Sequence, residues 1–395
     1  MNVFVIPSWY PSESNWLNGI FIKVQTLSLA KHYPDSKFAI SLWGQNDEDY
    51  LLYVKKPISS FRKLLKSSSP DESALLPNVK EYFTPAFSFH QRIKGGNIKK
   101  KIEANIFNLS QFQIHSGKVD VIHAHINYPA GVIARELSKK FKIPYILTEH
   151  MAPFPQKYHL DASGKMLPEI AESMRDASKL LVVSNYLKEQ IDASVPGCNI
   201  EVVPNFINTP TDTLFTKESK TTFCYANSIA KKKGIEELIR AWALVDQPNC
   251  QLKIAGSGPD LAAMQELSES IGSKNPIIWM GELSKKEVLE LMQTSDCHIL
   301  TSKLESFGVS YIEAMAAGIP SIAAPFGGPL DIINPGTGRL VKDLSAEAIA
   351  NEIKWFIQHK DQFKADEIKA HFSNFYSSEA LVPRIMQIYQ SATLS

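Results

Sequence analysis

The feature that most constrains this chain is the alternation of short, almost wholly apolar runs with longer stretches of helical periodicity. Residues 2–7 (NVFVIP) predict a buried strand and 19–32 the helix that follows it. Strands are predicted again at 37–43, 119–125, 145–149 and 180–183, with helices at 130–141 and 186–193. Strands this apolar need cover on both faces, and with helices between them that means a parallel sheet. The pattern breaks at VVPNFINTPTDTLF and then restarts, with strands at 222–226, 251–255, 277–280, 297–300 and 320–323 and helices at 234–245 and 261–270. The expectation is an α/β protein of two doubly wound, parallel-sheet domains facing a central cleft, with the boundary near 207. Ligands of such domains bind outside the carboxyl ends of the strands.

The 395 residues suffice for two or three domains, and a net charge of +1 gives no global field to attract nucleic acid, so none is expected as a partner. The four cysteines form no Cys-x-x-Cys pair, which fits a reducing compartment and supports neither a disulfide framework nor a zinc site. The start, MNVFVIPSWYP, reads as a first strand rather than a signal peptide, and no apolar stretch reaches the roughly 18 residues of a membrane span. A cytoplasmic protein is expected. Residues 45–118 fit the alternation least, mixing basic and apolar residues in FRKLLKSSSP and HQRIKGGNIKKK. They predict a solvated helical insertion. The sharper alternative is peripheral contact with an anionic membrane, or with a lipid-linked substrate, through 55–66 and 92–101.

The segment TSKLESFGVSYIEAMAAGIPSIAAPFGG, residues 301–328, carries the most chemistry. A strand ends at Leu300, a loop holds Glu305, Phe307 and Gly308, and a helix over 309–317 is stopped by Gly318-Ile319-Pro320. A helix start offers unpaired N–H groups and a positive dipole end, which suit a diphosphate, and Gly308 lets backbone approach closely. Glu305 precedes the helix and Glu313 lies one turn inside it, so the two carboxylates reach different hydroxyls of one ligand. Taken singly, each is an ordinary surface acid.

The pattern ESFGVSYIEAMAAGIP, two glutamates separated by seven residues and followed by Gly327-Gly328, resembles the GT4 family of retaining GT-B glycosyltransferases. The resemblance extends over nearly the whole chain and matches least in the middle of the first domain. It implies that Glu313 binds the donor ribose, that Glu305 holds the transferred sugar, and that N–H groups around Phe307, Gly308 and Val309 meet the diphosphate or the sugar. In CYANSIAKKKGIEELIRAWALV, Lys233 falls where the family has a diphosphate-binding lysine. Ser228 stands where an arginine is usual, so donor binding rests more on Lys233, helped by Lys231 or Lys232. LKIAGSGPD places Gly256 and Gly258 in the nucleotide cleft, and Leu283 would contact the base through backbone. Gly19, in the loop SWYPSESNWLNGIFIKVQ, serves either to approach donor or acceptor or simply to open a helix.

His123 and His125 share one face of the strand in VDVIHAHINYPAG, and His150 ends the strand in IPYILTEHMAPF. Nearby carboxylate or cysteine spacing completes no zinc set, so neither a metal nor another cofactor is expected; a nucleotide-diphosphate sugar is the donor substrate. The resemblance puts His125 on the sugar or acceptor side as a catalytic residue; His150, beside it at a strand end, is read as acceptor-side. It also implies a last helix that returns to the first domain, giving 1–207 plus 375–395 as the acceptor-side domain and 208–374 as the donor domain. The expected activity is metal-independent transfer of a hexose-type sugar to a saccharide or lipid-linked saccharide acceptor in cell-surface polysaccharide biosynthesis. Rival readings are a sugar-nucleotide epimerase of the same architecture and a non-catalytic nucleotide-sugar-binding subunit. A phosphorylase would show a cofactor-lysine motif, and a dehydrogenase would need Gly-x-Gly-x-x-Gly where SWYPSESN stands.

Overall fold

The computed structural model describes all residues except 13–17, 46, 53–59, 61–62, 64–68, 90–93, 211–216 and 395. The chain divides into two compact units, one formed by Met1–Val183, Leu187–Val203 and Val382–Ser395, the other by Ser184–Tyr186 and Pro204–Leu381.

The sheet of the first unit has the order β3-β4-β2-β1-β5-β6-β7-β8. Its strands are β1 (Asn2–Pro7), β2 (Lys37–Leu42), β3 (Asp71–Leu76), β4 (Val79–Phe83), β5 (Val121–His125), β6 (Tyr145–Glu149), β7 (Lys179–Val182) and β8 (Ile200–Val202). All pairings are parallel except β3 with β4. Val3, Phe4, Val5 and Ile6 of the central β1 are all buried, as strands covered on both faces must be. The edge strand β3 (DESALL) is short, charged and exposed over most of its length, features that discourage pairing with another sheet.

The 45–118 region departs from the helical insertion expected of it. It supplies β3 and β4 to the sheet, and then the helix Lys94–Ser116. That helix buries Lys101, Asn105 and Asn108 on its inner side. Asn108 donates to the Leu42 and Tyr82 carbonyls at 3.1 and 2.9 Å, and Ser41 donates to Asn105 Oδ1 at 2.7 Å. Most of the 55–66 run and residues 92–93 of the second basic run lie outside the described residues. Within the second run Lys101 is buried and so is withdrawn from any membrane-facing surface.

The sheet of the second unit is entirely parallel, in the order β11-β10-β9-β12-β13-β14. Its strands are β9 (Thr221–Ala226), β10 (Cys250–Ala255), β11 (Ile277–Gly281), β12 (Cys297–Leu300), β13 (Ser321–Ala323) and β14 (Gly338–Leu340). Counted within the unit this is 3-2-1-4-5-6, the doubly wound order whose direction of winding reverses between β9 and β12. In the first unit the reversal falls between β1 and β5. The last helix, Ser378–Leu394, contains Pro383; from Val382 onward it belongs to the first unit, where Tyr389 is buried. Among the described residues no helix is long and apolar enough to cross a membrane.

Candidate active site

The loops after β9 and β12 flank the reversal point of the second sheet, and each delivers one charged side chain there. Lys233 ends a short 3-10 turn after β9, and its Nζ donates to Glu305 Oε2 at 2.8 Å. Both side chains keep some exposure, 19% and 14%. The loops are tied by backbone as well, with Lys303 N–H donating to the Lys232 carbonyl at 2.9 Å. Gly328 N–H donates to the Glu305 carbonyl at 2.9 Å, so the Gly-Gly turn steadies the glutamate loop from its other side.

Gly308 opens the helix Val309–Ala316 at φ 104°, a left-handed conformation that glycine adopts without a steric penalty. A β-carbon there would lie 2.4 Å from the Tyr311 ring. The helix start has no side-chain cap and no acid in its first turn. Among the described residues the N–H groups of Phe307, Gly308 and Val309 find no acceptor. These groups and the positive end of the helix dipole make a place for an anion beside Lys233. Phe307 is buried, its ring 6.1 Å from that of Tyr376, which fixes the loop from beneath.

Glu313 lies one turn into the same helix. Burial pushes its carboxyl pKa upward, with Lys285 pulling the other way, and no donor reaches it among the described residues. It is therefore an acceptor with its hydrogen-bonding capacity unspent.

Gly256 and Gly258 follow β10 and close one loop onto another. A β-carbon at these positions would come 2.0 and 2.4 Å from the carbonyl oxygens of Asn227 and Ile229. Leu283 packs its side chain against an apolar cluster that includes Cys224, Leu291 and Ala314. Of the two lysines expected to assist Lys233, Lys231 is engaged with Glu236 at 3.2 Å, while Lys232 is exposed. Ser228 is exposed, its N–H held by Asn227 Oδ1 at 2.9 Å.

In the first unit, the ends of β5 and β6 carry a buried histidine network. His125 Nδ1 and His150 Nε2 are 3.1 Å apart. Burial lowers the His125 pKa well below the usual imidazole value, reinforced by His123 and His150, so His125 is neutral. One proton then lies between the two nitrogens, and the tautomer of His125 is coupled to that of His150. His123 is bound at both nitrogens, to Tyr389 Oη and Thr148 Oγ1, each at 2.7 Å, and its pKa is pushed down to about 3. His123 is thus a core histidine supporting its neighbour. The Phe21 ring stands 4.5 Å from that of His150, and Gly19 opens the helix that carries Phe21.

Glu149 is a residue that sequence reasoning missed. It is fully buried and accepts N–H bonds from Asn127, His150 and Met151 at 2.9, 2.9 and 3.0 Å. Desolvation raises its pKa against the pull of those bonds. Its carboxylate locks the turn that presents His150, and the TEH sequence at a predicted strand end was the available signal. Tyr389 left no such signal, being 266 residues from His123. Ile126, directly after His125, holds φ 68°, an unfavourable conformation for a β-branched residue. Its N–H donates to the Thr148 carbonyl at 2.7 Å and its carbonyl accepts from Ser8 Oγ at 2.8 Å. Backbone strain of this kind, held on both sides, fixes the direction in which the chain leaves His125.

Among the described residues no cluster of three or more His, Cys, Asp or Glu side chains is placed to hold a metal ion. Two family models match consecutive stretches of the chain: Glycosyltransferase Family 4 over residues 88–210 and Glycosyl transferases group 1 over residues 211–373. The putative teichuronic acid biosynthesis glycosyltransferase TuaC of Bacillus subtilis is 23% identical over 93% of this chain and 91% of its own length. An uncharacterized glycosyltransferase of Methanocaldococcus jannaschii is 26% identical over 55% of this chain, and the match spans 60% of that relative. Among solved structures, Anabaena HepE in complex with UDP superposes with a TM-score of 0.69 at 17% identity, covering 99% of this chain and 100% of that one. With its two parallel-sheet units the chain has the GT-B fold, and it belongs to the GT4, or group 1, family of glycosyltransferases.

Proposed function

We propose that this glycosyltransferase moves a hexose-type sugar from a nucleoside-diphosphate donor to a saccharide or lipid-linked saccharide, with retention and without a resident metal. The observation that carries this reading is the pair Lys233–Glu305 at the reversal point of the second sheet, 2.8 Å apart and next to an uncapped helix start. Breaking the bond between sugar and diphosphate sends its electron pair to the phosphate oxygen and leaves positive charge on the sugar carbon. Lys233 and the free N–H groups suit the first charge and Glu305 the second. An arriving diphosphate competes for Lys233 and releases Glu305 to accept from sugar hydroxyls. Glu313, unpartnered and partly shielded, suits the ribose hydroxyls. His125 is proposed to act on the sugar or acceptor side and His150 to set its tautomer.

The UDP bound to Anabaena HepE supports a uridine diphosphate donor, and the name of TuaC supports a role in cell-surface polysaccharide. A cytoplasmic protein that docks at the membrane only through charge fits such a role. The test is incubation with a panel of nucleotide sugars, with and without chelator, following release of nucleoside diphosphate. Turnover of one donor that persists in chelator supports the reading. Inertness toward every donor, or strict dependence on manganese, overturns it.

A further inference from the structure

The first unit contains a cavity of about 250 Å³ that none of the residues assigned above fills. It lies at the carboxyl ends of β1 and β5, where Ser8 follows β1 and Tyr128 lies just past His125. Trp9, Trp43, Tyr128 and Tyr158 line it, and Ser88 and Lys101 bring polar groups to it. Aromatic walls with a few polar groups are the usual make-up of a small-molecule site, and flat rings suit the C–H faces of a sugar.

Two polar groups in this cavity lack partners. Lys101 is only 6% exposed, yet among the described residues nothing accepts from its Nζ and no carboxylate pairs with it. Ser88 is 5% exposed, and its buried hydroxyl has no hydrogen-bond partner. Both are exceptions to the general pairing of buried polar groups. The helix that carries Lys101 does not share the defect, since Asn105 and Asn108 on the same inner side are satisfied. Burial without a counter-charge pushes the Lys101 pKa down to about 8, and an anion placed in the cavity would reverse that push.

We propose that this cavity holds the acceptor, and that the acceptor is an anionic saccharide whose phosphate or carboxylate is taken by Lys101 and Ser88. The inference rests on the transferase reading above and narrows it to a substrate class. The second basic run thereby contributes an interior anion receptor.

The test is titration of the full chain with glucose 1-phosphate, glucuronate and glucose, in wild type, Lys101→Met and Lys101→Arg. The two anions separate a phosphate source from a carboxylate source. At pH 7 at least one anion should bind tenfold or more tighter than glucose. That preference should vanish in Lys101→Met, survive in Lys101→Arg, and shrink as pH rises above about 8. Should Lys101→Met fail to fold, Ser88→Ala should still weaken anion binding severalfold. Equal affinity for glucose and both anions, no binding of either anion, or an undiminished preference in Lys101→Met overturns the proposal. UDP is titrated into the same samples, where Lys101→Met should match wild type. If wild type does not bind UDP, the donor reading fails, and the anion result is judged separately.

Discussion

At the reversal point of the second sheet, Lys233 and Glu305 meet as an ion pair that keeps 19% and 14% of its side-chain surface in solvent. At the corresponding point of the first sheet stand His123, His125 and Glu149, each 1% exposed or less. There desolvation disfavours every charged form, lowering the histidine pKa values and raising that of the carboxyl. One unit therefore maintains charges that can be handed to a ligand, and the other maintains neutral histidines whose direction is fixed by hydrogen bonds, beside a buried Glu149 that accepts three backbone N–H bonds. A reaction that separates charge on its donor and must orient a neutral hydroxyl on its acceptor needs both kinds of environment.

The largest expected effect of this contrast is on acid stability. His123, His159 and His298 have folded pKa values of about 3, 4 and 3, and that of His125 is well below normal. Below about pH 6.5 the unfolded chain takes protons on these groups that the folded chain does not, so stability falls as pH falls. Each contributes on the order of 1.4 kcal/mol per pH unit until its folded pKa is reached. Glu149, raised above its normal value, offsets part of this within its own window. Three of the four histidines belong to the first unit, so hydrogen exchange should show that unit losing protection first on acidification. Urea unfolding that is equally stable at pH 7 and pH 5 would break the comparison.

The next effect is also in the first unit. The charged form of Lys101 is penalised by burial below about pH 8, and the penalty is relieved as pH rises toward 10.5. Lys101→Met should therefore stabilise the protein at pH 7 by on the order of 3 kcal/mol, raising its Tm. A lower Tm would show that Lys101 is satisfied in the native protein. In the second unit, Glu313→Gln removes a charged acceptor worth roughly 1.5–3 kcal/mol, so calorimetry should find UDP bound about tenfold to a hundredfold more weakly. Unchanged UDP affinity would remove Glu313 from the donor site. The smallest effect is that of chelator on donor turnover, expected to be none, since Lys233 and the helix start at Gly308 are proposed to stabilise the diphosphate.

Much of this was legible in sequence, for physical reasons that also mark the limit. The runs that became β1, β6 and β12 are nearly continuous in apolar residues because helices cover both faces of the sheets, and β1, β6 and β12 fall where expected. The 45–118 region was misread because its edge strand is charged and its long helix buries Lys101, Asn105 and Asn108 among Ala104, Leu109 and Phe112, so polar residues interrupt the apolar stripe on its inner side. Glu305, Gly308 and Glu313 lie in one linear stretch around a helix start, so the resemblance of that stretch to the GT4 pattern was enough to single them out as candidates. No linear stretch holds the partners of the histidines. Tyr389 and Thr148 meet His123 only through the sheet and the last helix, and the seating of Glu149 depends on three backbone N–H groups of a folded turn.

The most direct test of the account is a paired measurement on Glu305→Gln: nucleotide-sugar turnover by release of nucleoside diphosphate, and UDP affinity by calorimetry on the same sample. If Glu305 faces the charge that develops on the sugar, as proposed, turnover should fall by about 10²–10³, while UDP affinity is kept or rises because Lys233 is no longer held by the Glu305 carboxylate. Wild-type turnover in Glu305→Gln, or loss of UDP affinity in step with loss of turnover, would contradict it.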